Sequence, residues 1–596
     1  NDSNAIISVG TGNSAGSLVA GNADLNGAAV VLDPVWQGND TIGNASKAAL
    51  AFTNNNVNGL MTVGRNSVLS LGTDDTGKAE QAFAESELTW GKTGVSAALY
   101  IDQAQKLQVQ GGILLDGTKT AASAEANKAS FADGSLLIVN GSGIGTSGTA
   151  ALTGGSGSTL TVNQGAKLYL TSTNAGTYTI AKGFANTTID GWSWSADAAA
   201  VDVSVNKLSE IEEIEKNTAD GDFTVTVRQT DVQKKYDGIA LPNILQAMDQ
   251  SRTEYAGIKY LTDLANDNKL DKEGFIAAVN SFAQGAENSG ATRTGALAAL
   301  DLGTAVQEHL SLAKAAAEQS GGFGKAAVDT ADNGGIWAQY IHNKDKVDNM
   351  GGVSYDGQYN GVIIGGDFAD RGKYSSGIAF SYGSGDSTGS ASKNEFDFWG
   401  LSYYGGIQNG DTNLIFDVGY SKTSSDVKGV IKAEPDTQVI SMGIKGEKVI
   451  SNGHGTSYVP YAGLRYMNID TDSYNGSIDG KTAAHYSTDK ADLWLLPVGI
   501  SISHESVTAG GWKVRPTADI AYVWTLGDKN TAMDITVPGV NATDRLGYDI
   551  MDSGFFVGKL GLEAEKGDWT YGLGYACQKG SHAQNSKFML NVTYSF

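Results

Sequence analysis

Histidine and cysteine, which supply most nucleophile–base pairs and transition-metal ligands, are confined to the second half of the chain. The six histidines are His309, His342, His454, His485, His504 and His582, and the single cysteine is Cys577. The residues before His309 therefore contain no Ser-His-Asp triad, no Cys-His pair and no zinc–histidine site. Hydrolysis by paired carboxylates stays open there, but no pair of acids stands out. We expect a non-enzymatic protein with no catalytic residues and no cofactor.

The segment from residue 263 to residue 274 carries acids in a pattern related to a calcium-binding loop. Asp263, Asp267 and Asp271 fit the register of an EF-hand loop. Gly274, however, stands where such a loop needs a bidentate glutamate, and Ala265 replaces another ligand. We therefore expect a capped connection between two helices and no metal site.

Composition narrows the class of protein. The formal net charge of −23 argues against a nucleic-acid partner, which needs a basic surface. The 78 glycines are spread among β-branched and aromatic residues and accompany only 7 prolines, which indicates many short strands and turns. No apolar run reaches about 18 residues, so no transmembrane helix is expected. Because the chain begins Asn-Asp-Ser without a leader pattern, we expect a processed or partial product.

The final residues alternate large apolar and mostly small polar side chains, which predicts a strand. One face carries Phe588, Leu590, Val592, Tyr594 and Phe596, and the other carries Met589, Asn591, Thr593 and Ser595. In a membrane barrel the apolar face would meet lipid and the polar face would meet a water-filled lumen. A soluble β-sandwich is the alternative for this pattern.

Charged residues lie on one face only in the segment from Trp512 to Trp524. Lys513, Arg515 and Asp519 alternate there with apolar and aromatic residues. Hydrocarbon strongly disfavours such charges, whereas an aqueous lumen accepts them. We therefore predict that these three side chains face a barrel lumen. Aromatic residues of the outer face would form belts at the membrane interfaces, namely Trp399, Tyr403, Trp494, Tyr522, Trp524 and Trp569.

The chain divides into three zones, of which residues 1–231 form the first. A pattern of apolar residues recurs there at 61–71, 99–109 and 160–170, and each copy predicts a strand, a polar turn and a second strand. Such units cannot bury their apolar face alone, but stacked units share one core. We predict a β-helix or related solenoid, and a glycine-rich β-sandwich is the alternative.

Residues 232–332 form the second zone, where the apolar spacing becomes helical. The residues 291–319 are rich in alanine, so a helix there would be a slim rod able to fit inside a pore. Its larger apolar residues are Leu297, Leu300, Val306 and Leu310. Glycines at 321, 322 and 324 should end it.

Residues 333–596 form the third zone, in which we count about twelve candidate strands. An even strand number suits a bacterial outer-membrane barrel. We expect longer polar connections on one rim, at Ser384–Glu395, Thr423–Glu434, Asn468–Asp492 and Gly527–Ile550. Tight turns such as 370–373 and 406–411 would lie on the other rim.

The third zone and the helix before it resemble the translocator domains of autotransporters, the proteins of type V secretion. The resemblance rests on the slim helix, the phenylalanine terminus and several aromatic strand segments, at 335–340, 396–406, 458–466 and 514–519. It implies an all-β fold with a helical linker: a passenger at 1–231, a linker and pore-spanning helix at 232–332, and a 12-stranded antiparallel transmembrane barrel at 333–596.

The resemblance also implies a location and partners. The barrel would lie in the bacterial outer membrane, in contact with its lipid, and the passenger would be exposed at the cell surface. The barrel-assembly machinery would read the last strand through Leu590, Val592, Tyr594 and Phe596. The passenger, as an adhesin, stalk or coat protein, would meet a host surface, the extracellular matrix or neighbouring cells.

Some relatives cut their passenger free at an asparagine in the pore helix. Asn288 lies just ahead of the helix in this chain, where we expect an ordinary helix-start residue and a passenger that stays joined to the barrel. Two other functions remain open: an outer-membrane porin with an accessory N-terminal domain, and an exported carbohydrate-active enzyme on a β-helix.

Overall fold

The computed structural model describes residues 335–595 apart from 369–372 and 453, and residues 128–312 apart from 133, 155–156, 196–201, 218, 220 and 268. Before residue 128 it describes the backbone of the strands given below and the burial of Leu99. The chain separates into two compact units. The first ends at Val279 and includes Gly539–Ala542, and the second contains Asn280–Pro538 and Thr543–Phe596.

Three sheets of mainly parallel strands make up the first unit up to residue 229. The first sheet contains Ser8–Val9, Asn39–Ile42, Leu60–Val63, Gly112–Leu115, Lys128–Phe131, Thr159–Val162 and Asn186–Ile189. The second contains Ser17–Ala20, Lys47–Leu50, Ser67–Leu71, Ala97–Ile101, Ser135–Asn140, Lys167–Thr171 and Val203–Val205. The third contains Val35–Trp36, Asn55–Val57, Leu107–Val109, Ala150–Gly154, Gly176–Lys182, Asp222–Gln229 and Ser209–Asn217. Asp24–Leu25 and Ala28–Ala29 form a separate antiparallel pair.

The repeated apolar pattern marks strands that lie in successive sheets. The copies at 61–71 and 160–170 each run from the first sheet to the second, whereas the copy at 99–109 runs from the second sheet to the third. Strands from neighbouring copies pair in parallel, as Leu69 does with Leu99. The β-helix stays a prediction for the zone as a whole, because most residues before 128 lie outside the described part of the chain.

The described end of this zone has one apolar core and an antiparallel edge. Trp192 lies between Phe131 and Phe223, with ring centroids 5.0 and 5.3 Å away, and all three side chains are buried. Asp222–Gln229 pairs antiparallel with both Gly176–Lys182 and Ser209–Asn217. This hairpin therefore ends the parallel stacking of the third sheet.

Helices follow the sheets and pack on their last strands within the first unit. Tyr169 donates to the carbonyl of Asn266 (2.8 Å), and Asn206 donates to Gln250 (2.8 Å). Buried polar groups are therefore paired across this contact. The helices of the first unit are Gly141–Ile144, Val232–Lys235, Pro242–Ala247 and Ala256–Asn266. Lys272–Gln284 continues into the second unit, which also contains the 3₁₀ turn Gly285–Ser289 and the helix Ala291–His309.

Asp271 caps the helix Lys272–Gln284, because its carboxylate accepts the N–H of Gly274 at 2.8 Å. We expect Asp271→Ala to lower the midpoint of thermal unfolding of the first unit, with a loss of about 1 kcal/mol. Circular dichroism of the full chain would follow it. Lys272→Ala, one residue further on, changes no cap and is the matched control; an equal loss in both variants would contradict the capping role.

Twelve long antiparallel strands close into a barrel in the second unit. Each strand pairs with its neighbours in sequence, and Gly335 of the first pairs with Ser595 of the last. In order they are Gly335–Met350, Val353–Asp367, Tyr374–Gly389, Ser392–Asn409, Thr412–Gly429, Asp436–Lys448, Thr456–Thr471, Ala491–His504, Lys513–Gly527, Gly554–Lys566, Trp569–Lys579 and Ala583–Ser595. The twelve-stranded antiparallel barrel predicted from the sequence is confirmed.

The two rims differ. The turn rim, where Gly335 and Ser595 lie, joins strands by short connections. The hairpin rim carries the shorter strands Tyr474–Ile478 with Lys481–Thr488, and Asn530–Thr536 with Thr543–Asp549. The remaining short strands are Lys432–Ala433, Ile450–Ser451 and Ser506–Val507.

Two predicted loops of the hairpin rim are wrong. The strands Tyr374–Gly389 and Ser392–Asn409 continue through most of 384–395, and Thr412–Gly429 continues into 423–434. The first stretch has no large apolar residue and the second has only Val427, Val430 and Ile431, so neither shows the regular apolar alternation by which a strand is recognised. Backbone pairing nevertheless continues, for example between Asp386 and Glu395.

Candidate functional site in the barrel lumen

The lumen helix, Ala291–His309, lies inside the barrel with its whole N-terminal part buried. Every residue from Ala291 to Gly303 is buried. Small residues allow close packing: a Cβ atom at Gly295 would lie 2.7 Å from Thr437, and one at Gly303 would overlap the guanidinium of Arg465. The lumen therefore has room for this helix only because those two positions are glycine.

A buried ion pair fixes the helix near the hairpin rim. Arg293 donates to both carboxylate oxygens of Asp345, at 2.9 and 3.0 Å, and to the carbonyl of Ile550 at 2.9 Å. The two charged side chains are 8% and 7% exposed. Such bidentate geometry sets the rotation of the helix as well as its depth.

A second buried network lies at the middle of the helix, where the first and last barrel strands meet. Asp301 pairs with Lys587 of the last strand and accepts from Tyr359 of the second strand at 2.5 Å. Asn343 of the first strand donates to Asp301 at 3.2 Å and accepts from Asn585 at 2.6 Å. The helix thus bonds to both strands that close the barrel.

Two contacts hold the C-terminal end of the helix at the turn rim. His309 stacks on Trp337, with ring centroids 4.7 Å apart, and its Nε2 lies 3.0 Å from Asp367. The Glu447 carboxylate accepts the Ser311 hydroxyl at 2.8 Å and the Leu312 N–H at 2.6 Å. The predicted helix over 291–319 is therefore too long, because Glu447 takes the backbone N–H that a further turn would use; residues 313–319 lie outside the described part.

On another side of the lumen the helix meets polar wall residues. Gln307 donates to Asp417 at 2.7 Å, and Arg465 donates twice to the same carboxylate at 2.9 Å. Glu308 pairs with Lys559 of the tenth strand. These bonds extend the contacts of the helix around the wall.

The segment before the helix is enclosed by the hairpin rim. Tyr474 and Tyr486 stack 4.9 Å apart; Tyr474 accepts the N–H of Ala286 at 3.0 Å, and Tyr486 donates to the carbonyl of Phe282 at 2.6 Å. Burial raises the pKa of the Tyr474 hydroxyl well above its usual value, so it stays neutral. Asn288 is buried in the 3₁₀ turn and donates to the carbonyl of Ser281 at 2.6 Å.

The three predicted lumen charges lie on the inner face of the ninth strand. Arg515 pairs with Glu505 (2.8 Å) and Glu563 (3.1 Å), and Lys513 lies 3.7 Å from Glu565. Asp519 accepts from Tyr461 at 3.0 Å and also from Ser501. Of the four larger apolar residues named in the helix, all are buried: Leu297, Leu300, Val306 and Leu310.

Sequence reasoning missed the charges on which the helix depends. Arg293, Asp301 and Glu308 form ion pairs with residues of the barrel. The helical period of the leucines predicts a helix but does not identify these charged residues. The available signal was charge itself: an ionisable residue in a slim helix destined for a barrel interior needs a partner.

The outer face of the barrel is apolar. Leu590 is 44% exposed and Val592 37%, and Tyr594 follows on the same face, whereas Phe596 lies outside the described residues. Of the six aromatic residues expected at the interfaces, Tyr522 is partly exposed and the other five are exposed: Trp399, Tyr403, Trp494, Trp524 and Trp569. A continuous apolar band of this kind suits lipid rather than water.

Two features are absent from the described part of the chain. Within the ranges given above, no three or more His, Cys, Asp or Glu side chains are grouped so as to bind a metal ion. Asp271, from the EF-hand-like segment, caps a helix instead. No helix in the described chain has the length and hydropathy needed to cross a membrane.

Comparison with known proteins finds one family. Residues 336–576 match the family model of the autotransporter β-domain. No curated protein shows significant similarity to the chain.

Solved structures of translocators are similar at low identity. The translocator domain of the autotransporter NalP from Neisseria meningitidis is 13% identical, with a TM-score of 0.38, and the match covers 51% of this chain and 96% of that one. The β-domain of the Bordetella autotransporter BrkA is 17% identical, with a TM-score of 0.36 and coverage of 44% and 100%. The transport unit of AIDA-I from Escherichia coli is 14% identical, with a TM-score of 0.35 and coverage of 49% and 97%.

Proposed function

The C-terminal part of the chain is an autotransporter β-domain of the outer membrane, and from this premise we propose that it translocates and anchors a non-enzymatic passenger at the cell surface. The passenger is the β-sheet zone at 1–231, acting as an adhesin, a stalk or a coat protein. Its partners would be a host surface, the extracellular matrix or neighbouring cells.

The direction of the lumen helix is the observation that supports translocation. An even number of strands puts Gly335 and Ser595 on the turn rim, and His309 lies beside Asp367 at that same rim. Arg293, at the other end of the helix, bonds near the hairpin rim. In barrels of this type the longer connections are extracellular. The chain before Gly290 therefore leaves the lumen on the outside.

The composition of the passenger supports a non-enzymatic role. With no histidine or cysteine before His309, nucleophilic triads and zinc–histidine chemistry are absent from that part of the sequence. The buried aromatic core around Trp192 and the parallel strands suit a structural rod. Activity on a panel of polysaccharides would contradict this part of the proposal.

Surface digestion tests the transport proposal. In intact cells that produce the full chain, we expect added proteinase to destroy an epitope within 1–231 while the barrel strands remain protected. Removal of the last strand, residues 583–596, should abolish surface exposure, because Gly335–Met350 would lose its partner and the barrel could not close. A periplasmic marker protein must stay undigested, which shows that the proteinase did not cross the outer membrane. A passenger that is digested only after lysis would overturn the proposal.

Assembly through the last strand is part of the same proposal. Leu590, Val592, Tyr594 and Phe596 would present the terminal signal to the barrel-assembly machinery. Their alternation suits an outward face, and Leu590 and Val592 pair with Tyr340 and Ala338 of the first strand. Substitution of Phe596 by serine should therefore lower the amount of folded barrel in the membrane without changing synthesis.

A further inference from the structure

The lumen helix is not centred in the barrel. Gly295 and Gly303 bring its backbone close to Thr437 and Arg465, on the sixth and seventh strands. Leu302 packs against the fourth strand, where a Cβ atom at Gly400 would lie 2.8 Å from it. The helix is narrower than the lumen, so space remains between it and the eighth to eleventh strands.

A cavity of about 210 Å³ occupies that space. The helix contributes Thr304, Gln307 and Glu308 to its lining, and the wall contributes polar side chains that include Asp519 and Lys559. Thr304, Gln307 and Glu308 are partly exposed, whereas the helix from Ala291 to Gly303 is wholly buried. The polar lining extends beyond the helix to Ser311, near the turn rim.

Apolar side chains close the cavity on the side of the hairpin rim. Leu300, Val523, Phe555 and Val557 line it there, and Leu300, Val523 and Val557 are each 7% exposed. Leu300, Phe555 and the amide residue Gln578 also line a second cavity of about 20 Å³, which begins on the far side beside Arg293. The boundary between the two spaces is therefore mainly apolar, with Gln578 as its one polar side chain shared by both cavities.

We propose that the larger cavity is a water-filled vestibule reached from the turn rim, and that the apolar layer of Leu300, Val523, Phe555 and Val557 prevents small hydrated ions from crossing the barrel. A narrow apolar constriction excludes water and so blocks ions without occluding the pore sterically. The vestibule carries charges of both signs, including Glu308 and Lys559, and admits small ions of either sign. This inference concerns the sealing of the lumen and does not depend on what the passenger does.

The accessibility of introduced thiols tests which residues of the lumen are in contact with water. In full-length protein with Cys577→Ser, since Cys577 is exposed, a small charged methanethiosulfonate reagent should modify Thr304→Cys rapidly. It should leave Leu297→Cys, which lines only the second cavity beyond the apolar layer, unmodified until the barrel is denatured. Only protein that migrates as folded barrel is scored. Protection of Thr304→Cys, or equal modification of both variants, would overturn the proposal.

Conductance tests the barrier itself. In planar bilayers we expect Phe555→Ala with Val557→Ala to raise the single-channel conductance of the full chain several-fold. Leu302→Ala is the matched control, because it removes a similar volume from the opposite face of the helix and should leave conductance unchanged. An unchanged conductance in the folded double variant would refute the barrier. An equal rise with Leu302→Ala would refute it too, since general loosening of the helix would then explain both.

Discussion

Replacing Asp301 by alanine should destabilise the folded barrel by about 3–5 kcal/mol, because it leaves a buried ammonium group without its partner. Lys587 is 7% exposed and ion-pairs with Asp301 inside the lumen. The same carboxylate accepts from Tyr359 and Asn343. These partners belong to the first, second and last strands. The substitution therefore weakens the contact between the first and last strands, where the barrel closes.

Denaturant-induced unfolding of the full chain in detergent would measure that loss. Glu308→Ala is the matched control on the same helix: Glu308 and Lys559 are each 25% exposed beside the polar cavity, so water can replace the partner, and we expect about 1 kcal/mol or less. The double variant Asp301→Leu with Lys587→Met should recover most of the stability, since neither charge remains. If Asp301→Ala and Glu308→Ala lost equal amounts of stability, the proposed role of the Asp301 network in closing the barrel would be contradicted.

The barrel was the most predictable part of the chain, since lipid imposes a strict alternation. Outward residues of each strand must be apolar where lipid surrounds them, and Leu590 and Val592 show this directly. Where strands continue through polar residues, as between Asp386 and Glu395, the constraint disappears and the alternation with it. The predicted strands were therefore too short at the hairpin rim.

The sheets of the first zone show a different limit of sequence patterns. Every side of a three-sheet core needs an inward apolar residue at alternate positions, so strands from different sheets look alike. The copies at 61–71 and 99–109 share their spacing but lie in different pairs of sheets. The spacing of apolar residues therefore predicts stacked strands, but it does not determine which of the three sheets each strand joins.

The lumen contacts depend on depth and rotation, which no local pattern encodes. Charges at Lys513, Arg515 and Asp519 were predictable as inward-facing because they follow a strand period. That Arg293 would meet Asp345, or Asp301 meet Lys587, depends on how far the helix enters the barrel. Two glycines help to set this position, and a glycine leaves no signal in an apolar pattern.

Replacing Gly303 by valine should prevent the helix from seating in the lumen. A Cβ atom at this position would overlap the guanidinium of Arg465. Arg465 cannot move away freely, because it donates twice to Asp417 and both side chains are buried, at 6% and 0% exposure. Separating that pair would leave Asp417 as an uncompensated buried charge, at about 3–5 kcal/mol.

Gly303→Val should therefore lower the denaturation midpoint of the barrel strongly, and in planar bilayers it should produce frequent large openings as the helix leaves its place. The neighbouring Thr304→Val is the matched control, since it is nearly isosteric and faces the polar cavity. Valine has a low helix propensity, which contributes less than about 1 kcal/mol. The control Thr304→Val therefore shows how much of the effect comes from valine in the helix rather than from the clash. If both variants retained wild-type stability and closure, the close packing at Gly303 would not determine the helix position. A strong effect of Gly303→Val alone would establish that the fit between this glycine and the Arg465–Asp417 ion pair holds the helix in its place in the lumen.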